Sequence, residues 1–323
     1  MAIIQNYKDM KKSCIIVLLA CLVMSLQAQQ TSAPESTLAL RVLIEEPLEP
    51  APPASKQVLE NKLNNLLTQN GIASMDYLGQ FFITAKVVPM SKDILAGPPT
   101  KISESMEVVF YIADYYNQLV FSTTSATVKG IGETESKCYL NALKQVKLNT
   151  PEMKQFVQEG KKKIIEYYNT QADKLIAKAQ MLAKQREYEQ AMWIVSTIPA
   201  ECDKYNEAIA AGLSIYQQFI DHMCDVNLAK ARTTWAAGQD AMAADAAGEY
   251  LSQIYPDAKC YSEAVALYED IRGKVLADWK FEMKKHQDNV DLELARIHAM
   301  RDVGVAYGKG QQPITTHISS FLP

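Results

Sequence analysis

Residues 177–208 read AKAQMLAKQREYEQAMWIVSTIPAECDKYNEA, and residues 229–264 read AKARTTWAAGQDAMAADAAGEYLSQIYPDAKCYSEA. Both open on Ala-Lys-Ala, and Ile198, Pro199, Cys202, Tyr205 and Ala208 return as Ile254, Pro256, Cys260, Tyr261 and Ala264. The offset grows from 52 at the opening to 56 at Ile254, so the second copy carries an insertion of four residues. Apolar residues recur at steps of three and four in both copies. Each copy therefore predicts a long helix, a shorter helix ending at Ile-Pro or Ile-Tyr-Pro, and a turn into the next long helix. A fainter third register begins at Pro151 with Phe156. A single helix pair cannot bury its apolar face alone, so stacking of pairs must supply the core, with Tyr188, Trp193, Trp235 and Tyr250 as packing residues.

Downstream, Ala264, Tyr268, Ile271, Val275, Trp279, Met283, His286, Val290, Leu294, Ile297 and Met300 keep the helical step. An unbroken helix to residue 300 would be roughly 60 Å long. It would outrun the shorter helices available to cover it, so part of its stripe must meet another surface. Gly273 and the pair Asp288 and Asn289 are the expected kinks.

The helix lengths also constrain the cysteines. If a long helix spans about 203–239 and a shorter one returns over about 241–254, Cys260 arrives level with Cys224. Cys202 lies roughly 33 Å from Cys224 along one helix. Cys202 and Cys260 hold equivalent repeat positions and stand at least one interhelical spacing of about 10 Å apart, beyond the roughly 7 Å limit for bridged Cα atoms. Elimination favours a disulfide between Cys224 and Cys260; the alternative is that each is a small buried apolar residue.

Upstream of Pro151 the pattern changes. Residues 37–46 alternate with Leu38, Leu40, Val42 and Ile44 on one face, as in a strand. A proline-rich connector follows. Ser55, as N-cap, opens a helix with Leu59, Leu63, Leu66 and Leu67 on one stripe, closed by Gly71. Strand-like runs cover 75–89, 105–114 and 118–130, the last two forming a hairpin, with Met106, Val108, Phe110 and Ile112 toward the core. Residues 91–101, SKDILAGPPTK, read as a long loop. A second helix carries Tyr139, Ala142, Leu143 and Val146. The expected fold is α+β: a small mixed-sheet α/β domain over 29–150, an all-α helical-hairpin repeat array over 151–310 with a long terminal helix, and a C-terminal tail over 311–323.

The amino terminus reads as a signal peptide over 1–28. Lys11 and Lys12 precede an apolar run from Ile15 to Leu26, with Ala28 before Gln29 at the cut. That run is about 12 residues, short of the roughly 20 a spanning helix needs, so no transmembrane helix is expected. A competing lipoprotein reading takes Leu18 to Cys21, with Cys21 lipidated; the residues that follow stay apolar, which favours the cut after Ala28. Export removes Lys8, Asp9, Lys11 and Lys12 and moves the formal charge from -4 to -6. A mildly acidic chain whose one basic run is Lys161 to Lys163 lacks the clustered basic face that nucleic acid requires. Cys138, Cys202, Cys224 and Cys260 remain after export, an even number that suits an oxidising compartment.

No recognisable catalytic motif is present. His222, Cys224 and Asp225 lack the second spaced pair a zinc site needs. Gly130, Ile131 and Gly132 resemble a phosphate loop, yet no third glycine or lysine follows, and Glu133 and Glu135 would repel phosphate. Glu45 and Glu46 point to opposite faces of a strand. His286 falls on the apolar stripe and His298 on a solvated face. No catalytic residue, metal ligand or cofactor is therefore assigned.

The unit with Tyr188, Ala191 and Pro199, within residues 172–264, resembles a tetratricopeptide repeat, whose second helix carries an alanine after an aromatic and ends near a proline. It departs from that family in a shorter spacing from Ala191 to Pro199 and in a period well above 34 residues. The stretch YIADYYNQLVFSTTSATVKGIGETESKCYLNAL (111–143) makes the first domain similar to the α/β domain shared by the curli-secretion lipoprotein and the amino-terminal domain of the Tol-system propeller protein. That resemblance implies protein-protein contact in the bacterial envelope rather than catalysis. The expectation is an exported, non-enzymatic protein, periplasmic or outer-membrane associated, that scaffolds other envelope proteins. The alternative is a sensor that binds a small ligand or glycan through Tyr111, Tyr115 and Tyr116, with the helices as a transmitting arm.

Overall fold

The alternation of Leu38, Leu40 and Ile44 does what it predicts: all three are buried. Only Arg41–Val42 (β1) forms a regular ladder, parallel to Phe82 and Ile83 of the next strand. The computed structural model describes residues 38–45, 51–72, 79–275, 279, 281–285, 291–310 and 322. The expected signal peptide, His286, His317 and most of the expected tail lie outside these residues.

Helix α1 (Ala54–Gln69) buries Leu59, Leu63, Leu66 and Leu67. Ser55 is not its N-cap. Pro53, already at helical φ -54° and ψ -33°, takes the cap position and starts the helix two residues earlier, and Ser55 is drawn into the buried face. Gly71 closes the helix at φ +66°. Its N–H donates to Thr68 O (3.1 Å) and that of Ile72 to Leu67 O (3.0 Å), a paired closure that depends on the left-handed glycine.

Strands β2 (Phe81–Leu95), β3 (Lys101–Asp114) and β4 (Leu119–Gly132) complete a four-stranded mixed sheet in the order β1-β2-β3-β4. Met106, Val108, Phe110 and Ile112 are fully buried toward the helices. The loop expected over 91–101 shrinks to a turn over residues 96–100, because Ser91 pairs with Ser105 and Leu95 with Lys101, after a bulge between Pro89 and Ser91. Residues 88–95 face solvent, so no apolar alternation marks them, and backbone pairing alone makes them strand.

Thr134 caps helix α2 (Glu135–Gln145) by accepting from Lys137 N (3.2 Å). The Gly-Ile-Gly segment before it is the bed of the helix. A Cβ at Gly130 would stand 2.0 Å from Cys138 O, and one at Gly132 2.4 Å from Cys138 N. Only glycine permits this approach.

Thr150 and Pro151 cap and open helix α3 (Pro151–Lys184). Element type changes at Pro151, but packing does not break there. A Cβ at Gly160 would lie 2.6 Å from Ile112 Cδ1, Tyr167 meets Phe121 edge-on, and one continuous core runs from Leu38 to Met300. The sheet and the helices are thus one packed body, because the first half of α3 roofs the sheet and its second half packs on helices.

Helix α4 (Tyr188–Ser196) returns on α3, and α5 (Tyr205–Gly238) and α6 (Ala241–Leu251) repeat the arrangement. The repeated sequence produces repeated bonds: Ala208 N donates to Lys204 O (2.9 Å), and Ala264 N to Cys260 O (3.0 Å). Helix α7 (Tyr261–Lys274) opens the next unit. Cys224 and Cys260 are joined by a disulfide with a Cα separation of 6.0 Å, the pair that counting along the helices singles out. Cys138 and Cys202 are free and buried.

The single helix expected to run to residue 300 ends at Lys274. Val275 is extended, Trp279 stacks back on Tyr268 (5.1 Å), and Tyr268 donates to Phe281 O (2.9 Å). A final helix, α8 (Leu292–Gly310), then lies against α4 and α5. Breaking the helix lets the stripe beyond 275 find cover that a straight rod would have passed by. Among the described residues the fold is α+β, with four strands and eight helices, and no helix there is long and apolar enough to cross a membrane.

Candidate functional site

Three places combine chemistry with position: the β3-β4 turn, the outer end of the sheet, and a cleft beside α8. At the turn, Asp114 is fully buried. Its Oδ1 accepts from Tyr116 N (2.9 Å) and Asn117 N (3.0 Å), and its Oδ2 from Tyr168 OH (2.6 Å), Asn117 Nδ2 (2.8 Å) and Gln80 Nε2 (3.0 Å). Burial first, and then Asp114, push the Tyr168 hydroxyl well above the usual phenol range. Tyr168 therefore stays protonated and donates. The cluster is a lock between sheet and helix, with its donors and acceptors matched.

The three tyrosines singled out as ligand-facing do not form an exposed face. Tyr111 is buried, on the sheet side away from α1 and α2. Tyr115 stands edge-on to Phe82 (6.3 Å) with the Arg41 guanidinium 5.5 Å from its ring. Tyr116 meets Trp193 of α4 edge-on at 4.5 Å. Turn residues that looked free in sequence are used to join the sheet to the helices. The His222, Cys224 and Asp225 set is likewise dispersed: the sulfur is in the disulfide, Asp225 pairs with Lys259 (2.7 Å), and His222 lies against Tyr188.

At the outer end of the sheet Val88, Met90, Ile94, Leu95 and Ile131 are exposed, Ile94 by 74% and Met90 by 61%. Lys92 pairs with Glu135 beneath them.

The cleft has a volume of about 520 Å³. Phe219, Met223 and Asn227 line it from α5, and Val303, Ala306 and Tyr307 from α8. Tyr255, Lys284 and Glu189 stand around it, with the Lys284 ammonium 3.7 Å above the Tyr255 ring. Asn227 is only 4% exposed, and its Nδ2 has no hydrogen-bond partner among the described residues. Such an orphan donor costs about 1–3 kcal/mol. The sequence carried a signal for it: Ile220, Cys224, Leu228 and Ala231 are the buried stripe of α5, and Asn227 interrupts it with an amide.

No family model, no curated protein and no solved structure matches the chain.

Proposed function

We propose that the chain is an exported, non-enzymatic cell-envelope protein that serves as an interaction scaffold or accessory subunit. The observation that carries this reading is the apolar end of the sheet. Val88, Leu95 and Ile131 are exposed on the open face of a ladder that extends past α2, with Met90 at its bulge and Ile94 on the opposite face. Clustered exposed apolar side chains mark contact surfaces rather than solvated ones. The export expectation rests on the signal-like segment over 1–28. A photoreactive residue in place of Ile131, used in the native envelope, should yield a discrete heterotypic crosslink, while the same residue in place of exposed Glu159 on α3 should not. Identical smears from both positions would sink the reading.

A further inference from the structure

We propose that the inner half of the open sheet face is a peptide-docking hollow, and that its occupant is this chain's own segment beyond α8, seated in cis through Leu322. The hollow is separate from the exposed outer end, and neither depends on the other. Helices α1 to α3 take the opposite face, where Met106, Val108, Phe110 and Ile112 lie.

The two halves of the open face differ in their side chains. Toward the outer end the strands alternate, and Lys86, Ser125, Thr127 and Lys129 are exposed. At the inner end alternation stops: β2 opens on Phe81-Phe82-Ile83, β3 carries Phe110-Tyr111-Ile112-Ala113 and β4 opens on Leu119-Val120-Phe121. A strand that is apolar on both sides is covered on both faces. Phe82 and Ala113, opposite each other in the ladder, are fully buried, and Thr84 and Tyr111 on the same face are nearly so.

Phe82 and Ala113 form a small cluster of their own, packed by Leu43, Tyr115, Val120 and Leu322. The sheet and its turn supply the first three, which make the rim; Leu322 alone comes from elsewhere in the chain. The path is short enough for one molecule. Gly308, in the last turn of α8, is pressed against the Trp193 ring. Trp193 meets Tyr116 at 4.5 Å, Tyr116 meets Tyr115 at 5.5 Å, and Tyr115 meets Phe82 at 6.3 Å. Residues 311–321 join Gly310 to Leu322, and a chain of that length reaches about 36 Å. No second copy is needed to supply the leucine. The hollow takes a large aliphatic side chain and rejects a charged one. Arg41, whose guanidinium stands 5.5 Å from the Tyr115 ring, repels a cation further.

The test uses the full chain labelled at its leucine and valine methyls, so that Leu43 and Val120 report the hollow and Leu251 of α6 is the distant reference. Leu322→Lys should shift Leu43 and Val120 and leave Leu251 in place. A peptide of residues 311–323 should return both signals toward their parent positions in that variant. It should bind the parent at least about tenfold more weakly, because a tethered segment already fills the site there. The same peptide carrying Leu322→Lys should do neither. A photoreactive residue in place of Leu322 should crosslink within one chain to the segments carrying Phe82 or Val120, at a yield unchanged by about a hundredfold dilution. Leu43 and Val120 unmoved by Leu322→Lys, equal peptide binding by parent and variant, or crosslinks that join two chains and vanish on dilution would each overturn the proposal.

Discussion

The Tyr168 hydroxyl on α3 and the Asp114 carboxylate at the end of β3 are joined by a 2.6 Å hydrogen bond in which both side chains are buried. Fifty-four residues separate them, and the bond ties the β3-β4 turn to the helix that carries the chain out of the sheet. Tyr168→Phe keeps the ring against Phe81 and removes a hydroxyl that donates to Asp114 and accepts from Gln80 and Asn117. It should cost about 1.5–3 kcal/mol, the range for a bond to a charged group. Urea unfolding of the two proteins measures it, and superimposable curves would contradict the role given to this pair.

The Cys224–Cys260 disulfide closes a sequence separation of 36 residues. On the chain-entropy account it contributes about 3–4 kcal/mol. The double variant Cys224→Ser with Cys260→Ser should unfold at lower urea and lose its response to reductant. A non-reducing peptide map should show the bridged pair, with Cys138 and Cys202 as thiols.

Those two thiols should also be silent while the protein is folded. Burial first, and then Glu201 and Asp203, push the Cys202 thiol up to about 12. Burial likewise raises Cys138, with Glu104 adding to it. Iodoacetamide at mildly alkaline pH should label neither in the native chain and both after unfolding. Rapid native labelling of Cys202 would show that the turn at residues 199–204 opens.

Gly130 and Gly132 are the seat of α2. Gly130→Ala would drive a methyl into the Cys138 carbonyl and should cost about 3 kcal/mol or more. Gly97→Ala, where the nearest atom is 3.9 Å away, is the matched control and should stay within about 0.5 kcal/mol of the parent. Equal melting temperatures for the two would refute the close approach.

Glu104 faces Cys138 beneath the outer end of the sheet and is 7% exposed. Burial raises its carboxyl above the ordinary value; Lys92 opposes that shift and Glu135 reinforces it. A raised folded value means that the folded chain holds the proton more tightly than the unfolded one. The stabilising contribution is then complete below the ordinary carboxylate range, and it is lost as pH rises through the folded value. Glu104→Gln should flatten this part of the pH-stability curve and be at least as stable as the parent at neutral pH. A parent curve that rises over the same window would have the wrong sign.

Much of the fold is legible along the chain, because local periodicity records which face of each element is buried. Leu59, Leu63, Leu66 and Leu67 announce α1, the even positions from Met106 to Ile112 announce the covered face of β3, and the duplicated Ala-Lys-Ala to Tyr-x-x-Ala segments announce two helix pairs. Where an element is exposed on both faces the record is blank, which is why the ladder over 91–95 read as part of a loop. The cleft was half legible: Asn227 breaks an apolar stripe, but nothing near it in sequence tells that its partners across the gap are Val303 and Tyr307.

What the sequence determined alone was set by helix period, strand period and the lengths of helices: the α+β class, the place where strands give way to helices, and the pairing of Cys224 with Cys260. Only the tertiary structure decided where the apolar stripe after Lys274 would find cover, that Tyr116 would meet Trp193 instead of solvent, and that α8 would wall a cleft over Asn227. The reason is physical. A period along one segment states that a face must be buried, whereas what buries it is a surface brought from far along the chain by the packing of everything between.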